Sequence, residues 1–205
     1  MLDARRFPAT TEYVRSLSNG LDSFPRCRVR VVVFESLAKD FPVLGRSAPP
    51  GPLAALLRGE LVSSAWIPEV VGQAANLMLR DACLKSDADY LNWAHRTNAK
   101  TFEKPLLKGL MRLVSPTLIV IGAARRWSML HEGSELSVST PRTVGGRVHA
   151  VGQLRYPEGL LSRLFLEGLT PAFSVALELA RGRQVEVALT QCTAGRAEYA
   201  VSWAA

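Results

Sequence analysis

The sequence predicts an α+β protein, with an N-terminal helical layer packed on a four-stranded antiparallel sheet that is built as hairpin, helix and hairpin. Apolar and polar residues alternate in Ser134–Thr140 and in Arg147–Tyr156, which predicts two strands because successive strand residues point to opposite faces of a sheet. Gly145 and Gly146 lie between these stretches and have the backbone freedom that a hairpin turn needs. These residues therefore predict the first hairpin.

The second hairpin and the connecting helix are predicted by the remaining C-terminal residues. Alternation in Val185–Leu189 and in Ala197–Trp203, on either side of a glycine-containing turn, predicts another antiparallel pair. The apolar run Pro157–Ala180 predicts a helix. We expect Thr170 and Pro171 to divide that run into two shorter helices, since a capping threonine followed by proline is typical of a helix start.

The residues before the first predicted strand carry helical periodicity and helix-start signals. They predict five or six helices, and we expect a single domain of residues 1–205, with a helical part at 10–130 and a sheet-containing part at 131–205. The predicted helices are Val29–Phe41, Leu53–Leu61, Ile67–Leu84, one capped by Ser86 or Asp87, one beginning at Thr101, and one that runs from Ser115 to Trp127 or Leu130.

Composition indicates a compartment as well as a class. The chain of 205 residues is 48% hydrophobic, so it can bury one good core. Its start lacks the apolar segment of a secretory signal, and its longest apolar runs are too short to span a bilayer, so we expect a cytoplasmic protein. Cys27, Cys83 and Cys192 lie far apart in the sequence, which favours buried thiols over a zinc site or a disulfide framework.

The chain is strongly basic, with a formal net charge of +7 and twenty arginines among its 25 basic residues. No nucleic-acid motif accompanies this charge. Lys104, Lys108 and Arg112 recur every four residues, so a continuous helix would place them along one side as a docking face for an acidic protein partner. A solvated helix face explains the same spacing.

The sequence contains no nucleotide-binding or metalloprotease motif, so we expect no enzymatic activity, no catalytic residues and no cofactor. The favoured function is a non-enzymatic small-molecule-sensing or adaptor domain, with an apolar pocket between helices and sheet. The alternative is a scaffold subunit without a ligand, which docks an acidic partner. His131 alone could equally be a dipole partner at a helix C-terminus. The predicted ligand-binding residues are Trp127, His131, Arg155, Tyr156, Phe165 and Phe173.

One stretch of the chain resembles a known family. In Ser115–Val138 a helix that ends at Trp127 leads through His131 and Gly133 into a strand, and this run, with the Tyr199–Trp203 ending, resembles a myxobacterial (Myxococcales-restricted) family of unknown function. The resemblance implies a fold similar to that of haem nitric-oxide-binding domains, 4-vinyl-reductase (4VR) domains and vesicle-tethering subunits. It further implies ligand binding, a signalling role and a homodimer, since members of that superfamily bind small molecules, haem or an acyl chain, and many dimerise.

Two departures from that superfamily limit what the resemblance implies. The haem-binding branch uses a Tyr-x-Ser-x-Arg triplet, whereas the nearest residues here run from Tyr13 to Ser16 with a different spacing. The 4VR-type branch often has paired cysteines in its last hairpin, whereas Cys192 has no second thiol nearby in the sequence. We therefore expect neither haem nor a metal.

Overall fold

The computed structural model describes residues 2–102 and 113–205, and it confirms the α+β class. The chain divides into two compact units, each made of discontinuous segments. The first unit comprises Met1–Tyr90, Leu130–Gly133 and Pro157–Phe165, and the second comprises Leu91–Met129, Ser134–Tyr156 and Leu166–Ala205.

Eight α-helices lie in the described part of the chain, and none of them is long and apolar enough to cross a membrane. They are α1 (Pro8–Ser16), α2 (Glu35–Asp40), α3 (Pro52–Leu57), α4 (Glu69–Leu79), α5 (Asp87–Phe102), α6 (Pro116–Ile121), α7 (Ala123–Leu130) and α8 (Arg163–Leu179). Shorter turns of helix occupy Gly20–Asp22, Val31–Phe34, Pro42–Arg46 and, directly after α4, Arg80–Leu84.

The first unit contains a three-stranded antiparallel sheet in the order β2, β1, β3. Its strands are β1 (Arg28–Arg30), β2 (Trp66–Pro68) and β3 (His131–Glu132). In the central strand Val29 pairs with Ile67 on one side and with His131 on the other, and all three side chains are buried. This face of the sheet therefore belongs to the core of the unit.

The predicted helix Val29–Phe41 is wrong in its first half. Residues 28–30 form β1, residues 31–34 form a tight helical turn, and only Glu35–Asp40 is α-helical. The β-branched valines favour extended backbone, and Val32 and Val33 are exposed, so the apolar spacing that indicated a helix does not describe a buried helical face.

Two predicted helix starts are confirmed by their caps. Ser86 Oγ accepts a hydrogen bond from the Asp89 backbone N–H at 3.1 Å, and Ser115 Oγ accepts one from the Leu118 N–H at 3.3 Å. The helix that follows Ser115 is interrupted at Gly122, which separates α6 from α7.

The second unit contains a five-stranded antiparallel sheet rather than the predicted four strands. Its strands are β4 (Glu135–Val138), β5 (Arg142–Val144), β6 (Arg147–Arg155), β7 (Glu186–Thr193) and β8 (Arg196–Ala204). The order is β4, β6, β8, β7, and β5 also pairs with β6. Pro141 separates β4 from β5, and Gly145 and Gly146 turn β5 into β6 at φ angles of 58° and 77°, where glycine is favoured.

Helix α8 runs without a break through Pro171, so the prediction of two shorter helices is wrong. Proline lacks the N–H that would bond to the carbonyl of Glu167 four residues earlier. The Thr170 hydroxyl donates a hydrogen bond to that same Glu167 carbonyl. The threonine thus supplies the donor that the proline removes, and the helix continues.

One face of the five-stranded sheet forms the core of the second unit. Tyr199 is fully buried there, its hydroxyl donates to the Leu166 carbonyl at 2.9 Å, and the Phe173 ring meets its ring edge-on at a centroid distance of 5.3 Å. Leu154 and Trp203 are buried on the same face. Helix α8 therefore covers this side of the sheet.

Two adjacent threonines of α1 provide a matched test of the first unit. Thr10 Oγ1 donates to the Asp81 carboxylate at 3.0 Å, whereas Thr11 Oγ1 is buried without a hydrogen-bond partner among the described residues. We expect Thr11→Val to raise the free energy of unfolding by about 1 kcal/mol and Thr10→Val to lower it by about 1–3 kcal/mol. Urea denaturation of both variants checks this, and equal effects of the same sign would contradict it.

Candidate functional site

A chain of buried polar side chains runs through the core of the first unit. His131 Nδ1 lies 2.9 Å from Glu69 Oε2, and Gln73 Nε2 donates to Glu69 Oε1 at 3.0 Å. Gln73 Oε1 in turn accepts from both the backbone N–H and the hydroxyl of Ser162, at 3.1 and 2.9 Å. Since a carboxylate can only accept, His131 Nδ1 is the donor of its bond to Glu69. The four side chains therefore form one connected hydrogen-bond network.

Local structure explains why this network forms where it does. Glu69 begins α4 directly after Pro68, so its carboxylate lies at the positive end of the helix, and its own N–H donates to the Cys27 carbonyl at 2.9 Å. Ser162 precedes α8, and its hydroxyl accepts from the Phe165 N–H at 3.2 Å as a helix cap. The network thus connects β3, α4 and the start of α8.

Glu69, Gln73 and Ser162 were not predicted from the sequence as site residues. Helix α4 is buried along all eleven residues, yet Glu69, Gln73 and Asn76 recur on it at the spacing of one helical face. Polar residues at that spacing within an otherwise apolar helix are the signal that could have located the network, because buried polar groups require partners.

Two further titratable groups lie near Glu69. Burial, and secondarily the negative charge of Glu69, raise the pKa of the Tyr13 hydroxyl, which donates to the Leu160 carbonyl at 2.6 Å. Burial and the same carboxylate raise the pKa of the Cys27 thiol. A raised thiol pKa keeps Cys27 protonated at neutral pH, so it lacks the thiolate character of a nucleophile.

The predicted ligand-binding residues are placed in both units. In the first unit His131 and Phe165 are buried, with ring centroids 6.2 Å apart. In the second unit Trp127 Nε1 donates to Ser134 Oγ at 3.0 Å, and Tyr156 donates its hydroxyl to the Thr193 carbonyl at 2.9 Å. Phe173 also lies in the second unit, where its ring meets the Tyr199 ring edge-on. Binding of an apolar small molecule by these side chains stays a prediction.

The remaining predicted contact residues are Arg155, as a ligand-binding residue, and Lys104, Lys108 and Arg112, as a docking face. Arg155 is exposed on β6, where it pairs in register with Glu135 and Arg196. Lys104, Lys108 and Arg112 lie outside the described residues. Among the described residues the exposed basic charge therefore lies on other side chains.

Basic residues occur near the turn from β5 to β6 and in the segment that connects α8 to β7. Arg142 pairs in register with His149, and Arg147 pairs with Ala204, whose N–H donates to the Arg183 carbonyl at 2.8 Å. Arg147 itself donates to the Gln184 carbonyl at 3.0 Å and pairs with Glu186 at 3.2 Å. We call Arg142, Arg147, Arg181 and Arg183 the arginine cluster.

Arg181 occupies a backbone position that usually belongs to glycine. The end of α8 has paired bonds from the Gly182 N–H to the Leu177 carbonyl and from the Arg181 N–H to the Glu178 carbonyl, at 2.9 and 3.0 Å. This pattern puts Arg181 at the left-handed position after the helix, with a φ of 67°. A side chain there costs about 1 kcal/mol relative to glycine, so the chain carries strain to keep an arginine at this corner.

Another basic group lies on the outer face of the three-stranded sheet, but its charges have partners. Arg28 pairs with Glu132 at 2.6 Å, and the Arg30 guanidinium lies 4.2 Å from the centre of the Trp66 ring and bonds to the Ser64 carbonyl. Among the residues that the structure describes, Glu186 is the one acidic side chain paired with an arginine of the four-membered arginine cluster. It is therefore the better candidate for an anionic partner.

Neither a metal centre nor a known relative accounts for these features. Within residues 2–102 and 113–205 no group of three or more His, Cys, Asp or Glu side chains is arranged to hold a metal ion. Comparison of the chain with protein-family models, with curated proteins and with solved structures finds no match. The function of the chain is therefore inferred from its own residues.

Proposed function

We propose that the chain is a non-enzymatic adaptor that docks an acidic protein segment on the arginine cluster. The observation that carries this proposal is the strained Arg181, two residues before Arg183, since a protein that needed only a helix end would be more stable with glycine there. The Arg183 carbonyl accepts from the N–H of Ala204, which pairs in register with Arg147. Arg142, Arg181 and Arg183 are exposed, so an anionic partner can reach them. Arginine suits this role because its planar guanidinium binds carboxylates in a bidentate manner.

The buried network supports an adaptor over an enzyme. Its carboxylate, amide and hydroxyl groups bond to one another, and burial, followed by the charge of Glu69, raises the pKa of the Cys27 thiol. A general base or nucleophile would need to face a substrate with a suitable protonation state. These side chains are better explained as a buried connection that fixes β3 against α4.

Charge reversal tests the proposal. We expect the triple variant Arg142→Glu, Arg181→Glu, Arg183→Glu to weaken binding of a fluorescent glutamate-rich peptide by more than roughly tenfold, because each reversed charge converts attraction into repulsion. Wild-type binding should weaken as salt rises, since the Debye length falls from about 10 Å at 0.1 M to about 3 Å at 1 M. Fluorescence anisotropy measures both effects.

A matched control separates the cluster from net charge. Arg5, Arg15 and Arg46 are exposed in the first unit, and reversing these three changes the net charge by the same amount. The control should bind the peptide within about threefold of wild type, because it leaves the guanidinium groups of the arginine cluster in place. Equal losses in both triple variants would reduce the interaction to nonspecific attraction and contradict the proposal, as would preferential binding of single-stranded DNA of the same charge.

The variant Arg181→Gly tests the role of this arginine without destabilising the fold. It takes away one cation and relieves the left-handed backbone conformation, so we expect unchanged or higher stability together with weaker peptide binding. Lower binding in a protein of undiminished stability assigns the loss to the arginine itself.

A further inference from the structure

We infer that β7 is a docking strand, to whose open edge an extended segment with an acidic C-terminal end adds as an antiparallel strand; this inference rests on the proposed function. The sheet order places β7 at one edge, paired with β8 alone among the described strands. An edge strand offers a row of backbone donors and acceptors that an extended peptide can bind.

The two edges of the five-stranded sheet differ in how they are protected. The opposite edge is shared by β4 and β5, of four and three residues, with Pro141 between them. Strand β7 has eight residues and no proline. Short strands and proline are common protections against unwanted pairing, so one edge of this sheet is protected and the other is left long and open.

The regular part of β7 lies next to the arginine cluster. Its register with β8 is unbroken from Glu186 to Leu189, and an irregularity follows between Leu189 and Gln191. Arg181 and Arg183 precede this regular part, and Arg147 pairs with Glu186 at its first residue. A docked segment would therefore pair along Glu186–Leu189 and extend past Glu186 toward the arginines.

The side chains of β7 define the chemistry of the added segment. Val187 and Leu189 pair in register with Val201 and Tyr199 on the covered face of the sheet, and both are half-buried at its edge. Alternate apolar residues of an added strand can continue this covered face. Because the added strand would run antiparallel to β7, its C-terminal residues lie beside the arginines, so they are the acidic ones.

A backbone-methylated peptide series tests strand addition. The probe is a peptide of alternating valine and threonine that ends in three glutamates, titrated against the full chain by fluorescence anisotropy. We expect N-methylation of the peptide backbone to weaken binding roughly tenfold at every second residue of its alternating part and little at the residues between, because only alternate amides of an added strand face β7. Amide hydrogen exchange should slow within Glu186–Thr193 when the peptide binds.

The outcomes separate this inference from the proposed function. If methylation has the same effect on peptide affinity at every position, and the charge reversal of the arginine cluster still abolishes binding, strand addition is overturned. Docking on the arginines then remains supported. If the charge reversal of the arginine cluster does not weaken peptide binding, the proposed function itself is contradicted. If methylation weakens binding at every second residue and the charge reversal abolishes binding, the results support both strand addition and arginine docking. A homodimer of the free chain in which Glu186–Thr193 is already protected from exchange, and which the peptide does not dissociate, would assign the β7 edge to a second copy and overturn the inference.

Discussion

Replacing Glu69 with alanine is expected to lower the free energy of unfolding by about 3–5 kcal/mol, because it leaves buried polar partners without their acceptor. The substitution removes the groups that bind His131 Nδ1 and Gln73 Nε2, and both side chains are buried. It also deletes side-chain volume from a helix that is buried along its whole length. Urea denaturation followed by circular dichroism measures the change.

Glu69→Gln is the matched control, since it keeps the volume and one carbonyl acceptor for His131. It should lower the free energy of unfolding less than Glu69→Ala does, because only part of the hydrogen-bond network is lost. If Glu69→Ala unfolds at the wild-type urea concentration, the network does not exist as described. An equal loss for Glu69→Gln and Glu69→Ala would show instead that the buried negative charge, rather than the hydrogen bonds, is what the fold requires.

Trp203→Ala should also lower the free energy of unfolding by about 3–5 kcal/mol, because it removes a large buried side chain. Trp203 is 3% exposed on β8 and pairs in register with Val148 of β6. Since native domains are stable by only about 5–15 kcal/mol, the variant should be largely unfolded or melt at a much lower temperature. Differential scanning calorimetry gives the melting temperature directly.

Trp66→Ala provides the comparison for Trp203. Trp66 is only partly buried, on the outer face of the three-stranded sheet. Its replacement by alanine should therefore lower the free energy of unfolding markedly less than Trp203→Ala does. Similar melting temperatures for the two variants would mean that the last strand contributes little to the core.

The sheet could be predicted from the sequence because period-two alternation is a local signal. Val201 and Trp203 on β8 lie on the covered face, as their spacing requires. Residues 28–30 could not be assigned in this way, because a three-residue strand is too short for its period to stand out among adjacent valines. The prediction of a helix break at Pro171 is wrong for another reason. The Thr170 hydroxyl donates to the carbonyl that lacks the proline N–H, and the sequence does not reveal this hydrogen bond.

The site could be predicted only in part. His131 was identified from its place after a helix, but its partner Glu69 is 62 residues away in the sequence, and no local pattern indicates which residues tertiary folding brings together. The arginine cluster likewise joins residues from a hairpin and from the end of α8. Its most informative member, Arg181, is recognised by a left-handed φ that the sequence does not reveal.

An NMR titration of the isotope-labelled full chain with the acidic peptide tests the docking of acidic segments most directly. We expect saturable shift changes confined to Arg142–Arg147 and Arg181–Leu189, including the side-chain Nε–H signals of the clustered arginines. Changes spread evenly over exposed arginines such as Arg5, Arg15 and Arg46, without saturation, would contradict it.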